Sequence, residues 1–191
     1  MINIHLVHGF NVTDGGKETT DTLIPFFEEN KASVVQHDYG FLEFFGVLRR
    51  NKKIAEKLAK SVGFGDIGMG HSNGCAILVK AARQGAKFNK LILVNPALDK
   101  NVKFPKHINE IHVFHTKHDK AVVMAKWSRK LVFWRKNFLW GEMGNKGYQG
   151  LDKRVVNYDV SHIAKGHSAL FSNKNLPRFK TLLLKIINTK A

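Results

Sequence analysis

Short runs of apolar residues, most of them broken by a glycine, histidine or aspartate, recur along this chain and predict β-strands. The predicted strands are Ile2–Val7, Ser33–His37, Asp66–His71, Lys90–Val94, Glu110–His115 and Arg154–Tyr158. The fourth run, KLILV, is nearly all apolar. Such a run is typical of a strand that is covered on both faces in a parallel sheet.

Between these runs, apolar residues return every three or four positions, which predicts amphipathic helices. The predicted helices are about Thr19–Asn30, Arg49–Lys60, Asn73–Gln84, Val122–Asn137 and Leu176–Ile187. Pro25 is compatible with the first helix only if it lies in its first turn, and Gly85 suits a left-handed C-terminal cap of the third. The four glycines of Gly141–Gly150 predict a mobile or tightly turned loop instead of a helix.

The alternation of strands and helices predicts an α/β fold with three layers. Right-handed crossovers give a mostly parallel sheet of about six strands with helices on both faces. The 191 residues, 43% of them hydrophobic, are enough for one full-sized core, so residues 1–191 are expected to form a single domain. The chain begins directly with a strand and shows no signal peptide or membrane span, and we therefore expect a cytoplasmic protein.

A serine lies between two glycines where the third predicted strand meets a helix. Gly70-His71-Ser72-Asn73-Gly74 matches the pattern G-x-S-x-G. A nucleophile on a sharp strand-to-helix turn has a strained backbone, and glycines two residues before and after it avoid collisions with neighbouring groups. The alternative interpretation is a glycine-rich turn with a surface serine.

A serine hydroxyl needs a general base, and the base needs a group that orients it. Asp119 follows the strand that ends at His115, and His167 follows the last strand within Gly166-His167-Ser168. Because parallel strands bring their carboxyl ends to one edge of the sheet, we expect Ser72, Asp119 and His167 to converge.

These residues, in the order Ser, Asp, His, resemble the α/β-hydrolase superfamily. His8-Gly9-Phe10 is similar to its oxyanion segment, Gly70–Gly74 to its nucleophile elbow, Asp119 to its acid loop and Gly166-His167 to its histidine loop. The chain begins at what would be the family's third strand and has no long inserted lid. The resemblance is therefore to the small, lidless esterases and lipases of the superfamily.

The resemblance implies a serine hydrolase that needs no cofactor. Ser72 would attack an acyl carbonyl, and His167 would take the serine proton and later give it to the leaving group. Asp119 would hold the imidazole in the right tautomer. The backbone N–H groups of Phe10 and Asn73 would bind the oxyanion. The residues expected to support this site are His8, Gly9, Gly70, His71 and Gly74.

Both partners of the serine have rivals in the sequence. Asp99 follows the strand that ends at Val94, where some α/β-hydrolases place the acid, but Asp119 is in the commoner position. Asp38 is interpreted as a loop or capping residue. His162 lies five residues before His167, whose Gly-His-Ser context favours it as the base.

Metal and nucleotide sites are not predicted. His112, His115 and His118 are evenly spaced, but residues three apart on a strand face opposite sides, and no nearby set of carboxylates completes a zinc site. The chain has neither GxGxxG nor GxxxxGK[ST]. The single cysteine, Cys75, excludes an internal disulfide framework and is interpreted as a packing residue.

Positive charge is concentrated in the later part of the chain. Residues 1–48 carry 2 basic and 7 acidic side chains, whereas residues 49–191 carry 29 and 8, for a total of +16. The basic helices are either solvated outer faces or a surface for an anionic substrate, an acidic lipid headgroup or nucleic acid. Nucleic acid is the less favoured partner because the aromatic residues of Val122–Asn137 are expected on the buried side.

Three functions follow from these features. The favoured one is hydrolysis of a carboxylic ester or thioester, a small-molecule or acyl substrate, through an acyl-enzyme on Ser72. A serine amidase or peptidase with the same residues is the second. The third is a non-catalytic basic binding protein for anionic partners, which would have no physical need to retain the nucleophile, acid, base and oxyanion segment together.

Overall fold

Six parallel strands form one sheet in the computed structural model, which describes residues 2–10, 14–41, 44–123 and 139–189. The strands are β1 (Asn3–Val7), β2 (Ser33–His37), β3 (Ile67–His71), β4 (Lys90–Val94), β5 (Glu110–His115) and β6 (Val155–Asp159). Their order across the sheet is β2-β1-β3-β4-β5-β6. Every neighbouring pair is parallel, as the sequence predicts.

The α-helices that lie wholly within the described residues are α1 (Ile24–Glu29), α2 (Phe44–Ser61), α3 (Asn73–Arg83), α4 (Met143–Lys146) and α5 (Leu176–Asn188). Pro25 lies in the first turn of α1, where its missing N–H costs nothing, and a 3-10 turn occupies Thr20–Leu23 before it. Gly85 follows α3 with φ of 102°, which fits the predicted left-handed cap. Residues 120–123 are helical, and the remainder of the predicted helix Val122–Asn137 lies outside the described residues.

The sheet separates two apolar clusters, which confirms the three-layer α/β architecture. On one face, α2 and α3 pack against strand residues such as Leu91 and Val113. On the other face, α1 and α5 pack against alternate strand residues such as Ile92 and Phe114. All five residues of β4 are buried, as expected for a central strand with helices on both sides. None of the described helices is both long enough and apolar enough to cross a bilayer.

The prediction for Gly141–Gly150 is wrong in one respect, because Met143–Lys146 forms one helical turn. Gly144 lies so close to Asn95 that a Cβ would come within 2.6 Å of its carbonyl carbon. Gly147, with φ of 71°, ends the turn. The glycines therefore fit a tightly packed turn against the loops after β4 and β5, and burial of this turn overrides their low helix propensity.

A chain of polar side chains is buried between β1, β2 and the start of β3. His5 contacts His37 at 2.8 Å through one ring nitrogen and Asp66 at 2.9 Å through the other. Asp66 also accepts hydrogen bonds from Asn3 and from the Gly63 amide. Burial, followed by the charges of His5 and Lys57, lowers the pKa of His37 from 6.5 to about 4.

We expect this chain of side chains to make stability depend on pH. His37 stays neutral in the folded protein down to about pH 4, whereas it takes up a proton near pH 6.5 when unfolded, so stability is lost as the pH falls through this window. The loss should be about 2 kcal/mol, measured by urea denaturation at pH 7 and pH 4.5. The His37→Gln variant should lose less stability between pH 7 and pH 4.5 than the wild type. The His162→Gln variant, which changes an exposed histidine, should lose as much stability as the wild type. Equal pH dependence in His37→Gln would contradict this expectation.

Candidate active site

Ser72 occupies a strained turn between β3 and α3. Its φ of 54° and ψ of −119° lie in a region that residues other than glycine rarely adopt, at a cost of about 1–3 kcal/mol. Its amide donates to the Val94 carbonyl and its carbonyl accepts from the Cys75 and Ala97 amides. These hydrogen bonds fix the backbone of the turn in its strained conformation. The strand-turn-helix context that the sequence predicts for G-x-S-x-G is therefore present.

The two glycines that flank Ser72 lie where no side chain fits. A Cβ on Gly74 would stand 2.1 Å from the Val7 carbonyl oxygen and 2.5 Å from that of His8. A Cβ on Gly70 would stand 2.9 Å from the Cys75 amide nitrogen. The turn therefore packs directly on the end of β1, and Gly74 allows this approach.

Asp119 and His167 form a hydrogen-bonded pair at this edge of the sheet. His167 donates from Nδ1 to Asp119 Oδ2 at 2.7 Å. Asp119 is fully buried, and its other oxygen accepts from the Val122 amide, so it also caps the helix that begins at residue 120. The ring of His167 remains 23% exposed. With Nδ1 donating, Nε2 of the neutral imidazole is free to accept a proton.

The rival residues lie elsewhere. Asp99 turns its carboxylate toward the Asn101 amide, at 2.8 Å, in the loop after β4. His162 is exposed and lies two residues beyond the buried Val160. Asp38 accepts from the Gly40 amide, in line with its interpretation as a loop residue, and its Oδ1 also lies 3.4 Å from His8 Nε2.

Two buried side chains hold the backbone of His167. Asn95 donates from Nδ2 to the His167 carbonyl at 2.6 Å, and His71 donates from Nε2 to the same oxygen at 3.2 Å. Burial, together with the nearby His167, holds the pKa of His71 well below 6.5, so His71 is neutral. The His71 and His167 rings lie 4.7 Å apart. Asn95 was not among the predicted site residues, although it follows β4 at the same sheet edge.

The first residue of α3 belongs to a buried network of hydrogen bonds. Asn73 and Asn51 exchange reciprocal amide hydrogen bonds of 2.8 and 3.2 Å. Trp140 donates its indole N–H to Asn73 Oδ1 at 2.8 Å. The network joins α2, α3 and the segment before α4, and it fixes the start of α3 beside Ser72. Asn51 and Trp140 are also residues that the sequence did not single out.

The segment His8-Gly9-Phe10 lies against the turn and is held by Tyr39, in the loop after β2. The Tyr39 hydroxyl lies 2.7 Å from the His8 carbonyl oxygen and 2.5 Å from that of Gly9, and its single proton is shared between these two acceptors. The Tyr39 ring stacks on that of His8 with centroids 4.0 Å apart. A Cβ on Gly9 would stand 3.2 Å from the Ser72 Cβ, which shows how closely this segment approaches the serine. Phe10 packs edge-on against Trp140.

One contact of the expected triad is not formed. The Ser72 hydroxyl donates no hydrogen bond to any residue in the described part of the chain, whereas the His167–Asp119 contact is complete. Ser72 and His167 are linked instead through His71, which precedes the serine and contacts the histidine. The sheet edge thus brings together the serine turn, the Asp–His pair and the His8-Gly9-Phe10 segment.

The other candidate residues have local partners. His112 contacts Glu110 and Tyr158, and His118 contacts Lys165. Within the described ranges, no three His, Cys, Asp or Glu side chains are grouped as metal ligands. Cys75 is buried, its thiol lies 3.1 Å from the Gly70 carbonyl, and burial raises its pKa. It is a packing residue of α3.

Solved structures resemble this chain over nearly its whole length. One of them is a serine hydrolase involved in carbazole degradation, the CarC enzyme. The alignment covers 100% of this chain and 92% of the CarC chain, with a TM-score of 0.65 and 12% sequence identity. The alignment with the mouse alpha/beta hydrolase domain-containing protein 10 covers 97% of this chain and 89% of the mouse chain, with a TM-score of 0.62 and 12% sequence identity. The alignment with a pyrethroid hydrolase from Sphingobium faniae covers 98% of each chain, with a TM-score of 0.59 and 13% sequence identity.

The chain has the α/β-hydrolase fold. This confirms the fold that the order of its strands, serine turn and histidine loop predicts. No model of a protein family matches the sequence, and a comparison with the sequences of curated proteins finds no match. One fold hosts many activities, so the chemistry of this chain depends on its own side chains.

Proposed function

We propose that this chain is a serine hydrolase that cleaves a carboxylic ester or thioester through an acyl-enzyme on Ser72. The observation that carries the proposal is the Asp119–His167 pair at 2.7 Å, at the sheet edge where Ser72 lies in a strained turn. A surface serine in a glycine-rich turn would need no buried carboxylate directed at a neighbouring histidine. The similarity in fold to a serine hydrolase and a pyrethroid hydrolase supports the same chemistry.

In the first half-reaction, Ser72 Oγ forms a bond to the acyl carbon while its proton passes to His167 Nε2. Asp119 keeps the other ring proton on Nδ1 and stabilises the imidazolium that forms. The hydrogen bond between Ser72 and His167 closes as substrate binds, because such contacts are often long before the substrate is present. Asn95 and His71 fix the His167 backbone, so the ring does not have to be reoriented.

The negative charge that develops on the carbonyl oxygen needs preorganised donors. As the first residue of α3, Asn73 has a backbone N–H without an intrahelical acceptor, at the positive end of the helix. We assign this amide and that of Phe10 to the oxyanion. Asn51, Trp140 and Tyr39 are positioning residues that hold the two backbone segments. Each donor in such a site contributes about 2.7–4 kcal/mol to the transition state.

Collapse of the tetrahedral intermediate breaks the bond between the acyl carbon and the leaving oxygen or sulfur. The proton on His167 Nε2 passes to that atom, which departs as an alcohol or thiol. Water then attacks the acyl-enzyme, His167 takes its proton, and the carboxylic acid leaves as Ser72 regains its hydrogen. The cycle balances with water as the second substrate and requires no cofactor.

A fluorophosphonate probe tests this proposal, because it forms a covalent bond with an activated serine. We expect one probe per chain by intact mass, mapped to the peptide that contains Ser72. The Ser72→Ala variant should take up none, whereas Ser61→Ala should be labelled like the wild type, because the Ser61 hydroxyl donates to the Leu58 carbonyl at the end of α2. Labelling that persists in Ser72→Ala, or maps to another residue, would refute the nucleophile assignment.

A further inference from the structure

A cleft of about 540 Å³ opens beside His167 and is lined largely by basic residues. Three lysines surround it, Lys117 and Lys120 on either side of the buried Asp119, and Lys165 just before the histidine loop. All three are exposed. His118, Ala121, Gly166 and His167 complete the lining. The sequence points to basic helices as a whole, and it does not reveal this cleft.

Little negative charge faces these lysines from the surrounding described residues. Asp119 is fully buried and directed at His167 and the Val122 amide. Hydrogen bonds from Ser161, together with the nearby charges of His115 and Lys117, lower the pKa of Asp159, so this ionised carboxylate offsets part of the charge of Lys117. Lys165 contacts His118 at 3.3 Å, a contact between a cation and a ring nitrogen that leaves its charge uncompensated. A cleft lined by one sign of charge focuses its field and concentrates counter-charged ligands.

The position of the cleft identifies the part of a substrate that would enter it. In an acyl transfer, the base that accepts the serine proton later gives it to the leaving oxygen, so the leaving group must lie against His167. His167 is itself part of the wall of the cleft. An anionic group attached to the leaving alcohol would thus come within reach of the three lysines.

We propose that Lys117, Lys120 and Lys165 select esters whose leaving group carries a carboxylate or phosphate. This proposal rests on the hydrolase function proposed above and adds a substrate class to it. The leaving group departs as an alcohol with the proton from His167, and its anionic substituent takes no part in the bonds that form and break. The lysines therefore determine specificity and are not catalytic residues.

The test compares esters that differ in the location of an anionic group. Para-acetoxybenzoate and para-acetoxyphenyl phosphate carry it on the leaving group, methyl para-acetoxybenzoate is the neutral reference, and the para-nitrophenyl monoester of glutaric acid carries it on the acyl group. We expect kcat/KM to favour both leaving-group anions. In the triple variant Lys117→Gln/Lys120→Gln/Lys165→Gln, the cleft variant, the ratio of kcat/KM for the anionic ester to kcat/KM for the neutral ester should fall about tenfold. The expected loss is only this large because each exposed charge pair contributes little by itself.

A second triple variant controls for net charge. Lys103→Gln/Lys106→Gln/Lys153→Gln removes three exposed lysines that precede β5 and β6, at the opposite edge of the sheet. It should keep the wild-type ratio. Raising the salt concentration should lower the ratio in the wild type and in this control, and have little effect in the cleft variant.

The outcomes separate this proposal from the function on which it rests. If the wild type hydrolyses the neutral ester through Ser72 but shows the same ratio as the cleft variant, the hydrolase stands and the anion site is refuted. An equal fall in the control triple, or a preference only for the charged acyl group, would also overturn it. If no ester is hydrolysed and Ser72 is not labelled by the fluorophosphonate probe, the hydrolase function itself fails.

Discussion

Replacing Ser72 or His167 by alanine is expected to lower kcat for ester hydrolysis by about 10⁶ in each case. Neither residue supports the reaction without the other, because the hydroxyl is a poor nucleophile and the imidazole has no proton to move. The double variant should therefore be no slower than either single variant. Initial rates with para-nitrophenyl acetate, at enzyme concentrations high enough to detect a residual rate, measure all three.

Folding must be shown to be intact before these rates are compared. Ser72→Ala keeps the unfavourable φ of 54°, so its free energy of unfolding should be close to that of the wild type. Urea denaturation of each variant provides the check. An additive loss in the double variant would contradict a shared role, and a loss below about tenfold in His167→Ala would remove His167 as the base.

The Asp119→Asn variant is expected to lower kcat by about 10⁴. The asparagine amide group can donate to Nδ1 where the carboxylate accepts at 2.7 Å, which places the imidazole proton on Nε2, where it cannot accept from Ser72. Asparagine still caps the helix that begins at residue 120, so the fold should be retained. Steady-state kinetics with the same ester measure the loss.

The rival acid supplies the matched control. Asp99→Asn changes a carboxylate that accepts from the Asn101 amide after the neighbouring strand, and asparagine can accept the same hydrogen bond. Its kcat should stay within about threefold of the wild type, the range of a surface substitution. If Asp99→Asn loses as much activity as Asp119→Asn, the acid assignment is wrong.

The sheet could be predicted from sequence because its strands are short apolar runs. Such runs indicate a strand from their local pattern alone, without knowledge of distant residues. β4 is the clearest case, since five successive buried positions require cover on both faces. The choice of Asp119 over Asp99 was harder, because both follow strands at one edge. What distinguishes them is the direction of the carboxylate, toward His167 in one and toward Asn101 in the other.

The residues that hold the site in place were missed for a physical reason. Asn95 contacts His167 across 72 residues of chain, and Trp140 contacts Asn73 across 67. Such pairings depend on side-chain rotamers and on how the loops pack. The sequence around a polar residue that follows a strand does not indicate which distant residue it will contact. The helical turn Met143–Lys146 was missed in the same way, because its one glycine, Gly144, is explained by the close approach of Asn95.

The hydrogen bond from Tyr39 to the Gly9 carbonyl has a consequence for the amide of the next residue. The Gly9 C=O and the Phe10 N–H belong to one planar trans peptide and point in opposite directions. An acceptor fixed at 2.5 Å from the Tyr39 hydroxyl therefore aims the Phe10 N–H directly away from Tyr39. Burial raises the pKa of Tyr39 and keeps the phenol protonated as a donor, so a side chain that follows the edge strand sets the orientation of a main-chain dipole beside Ser72.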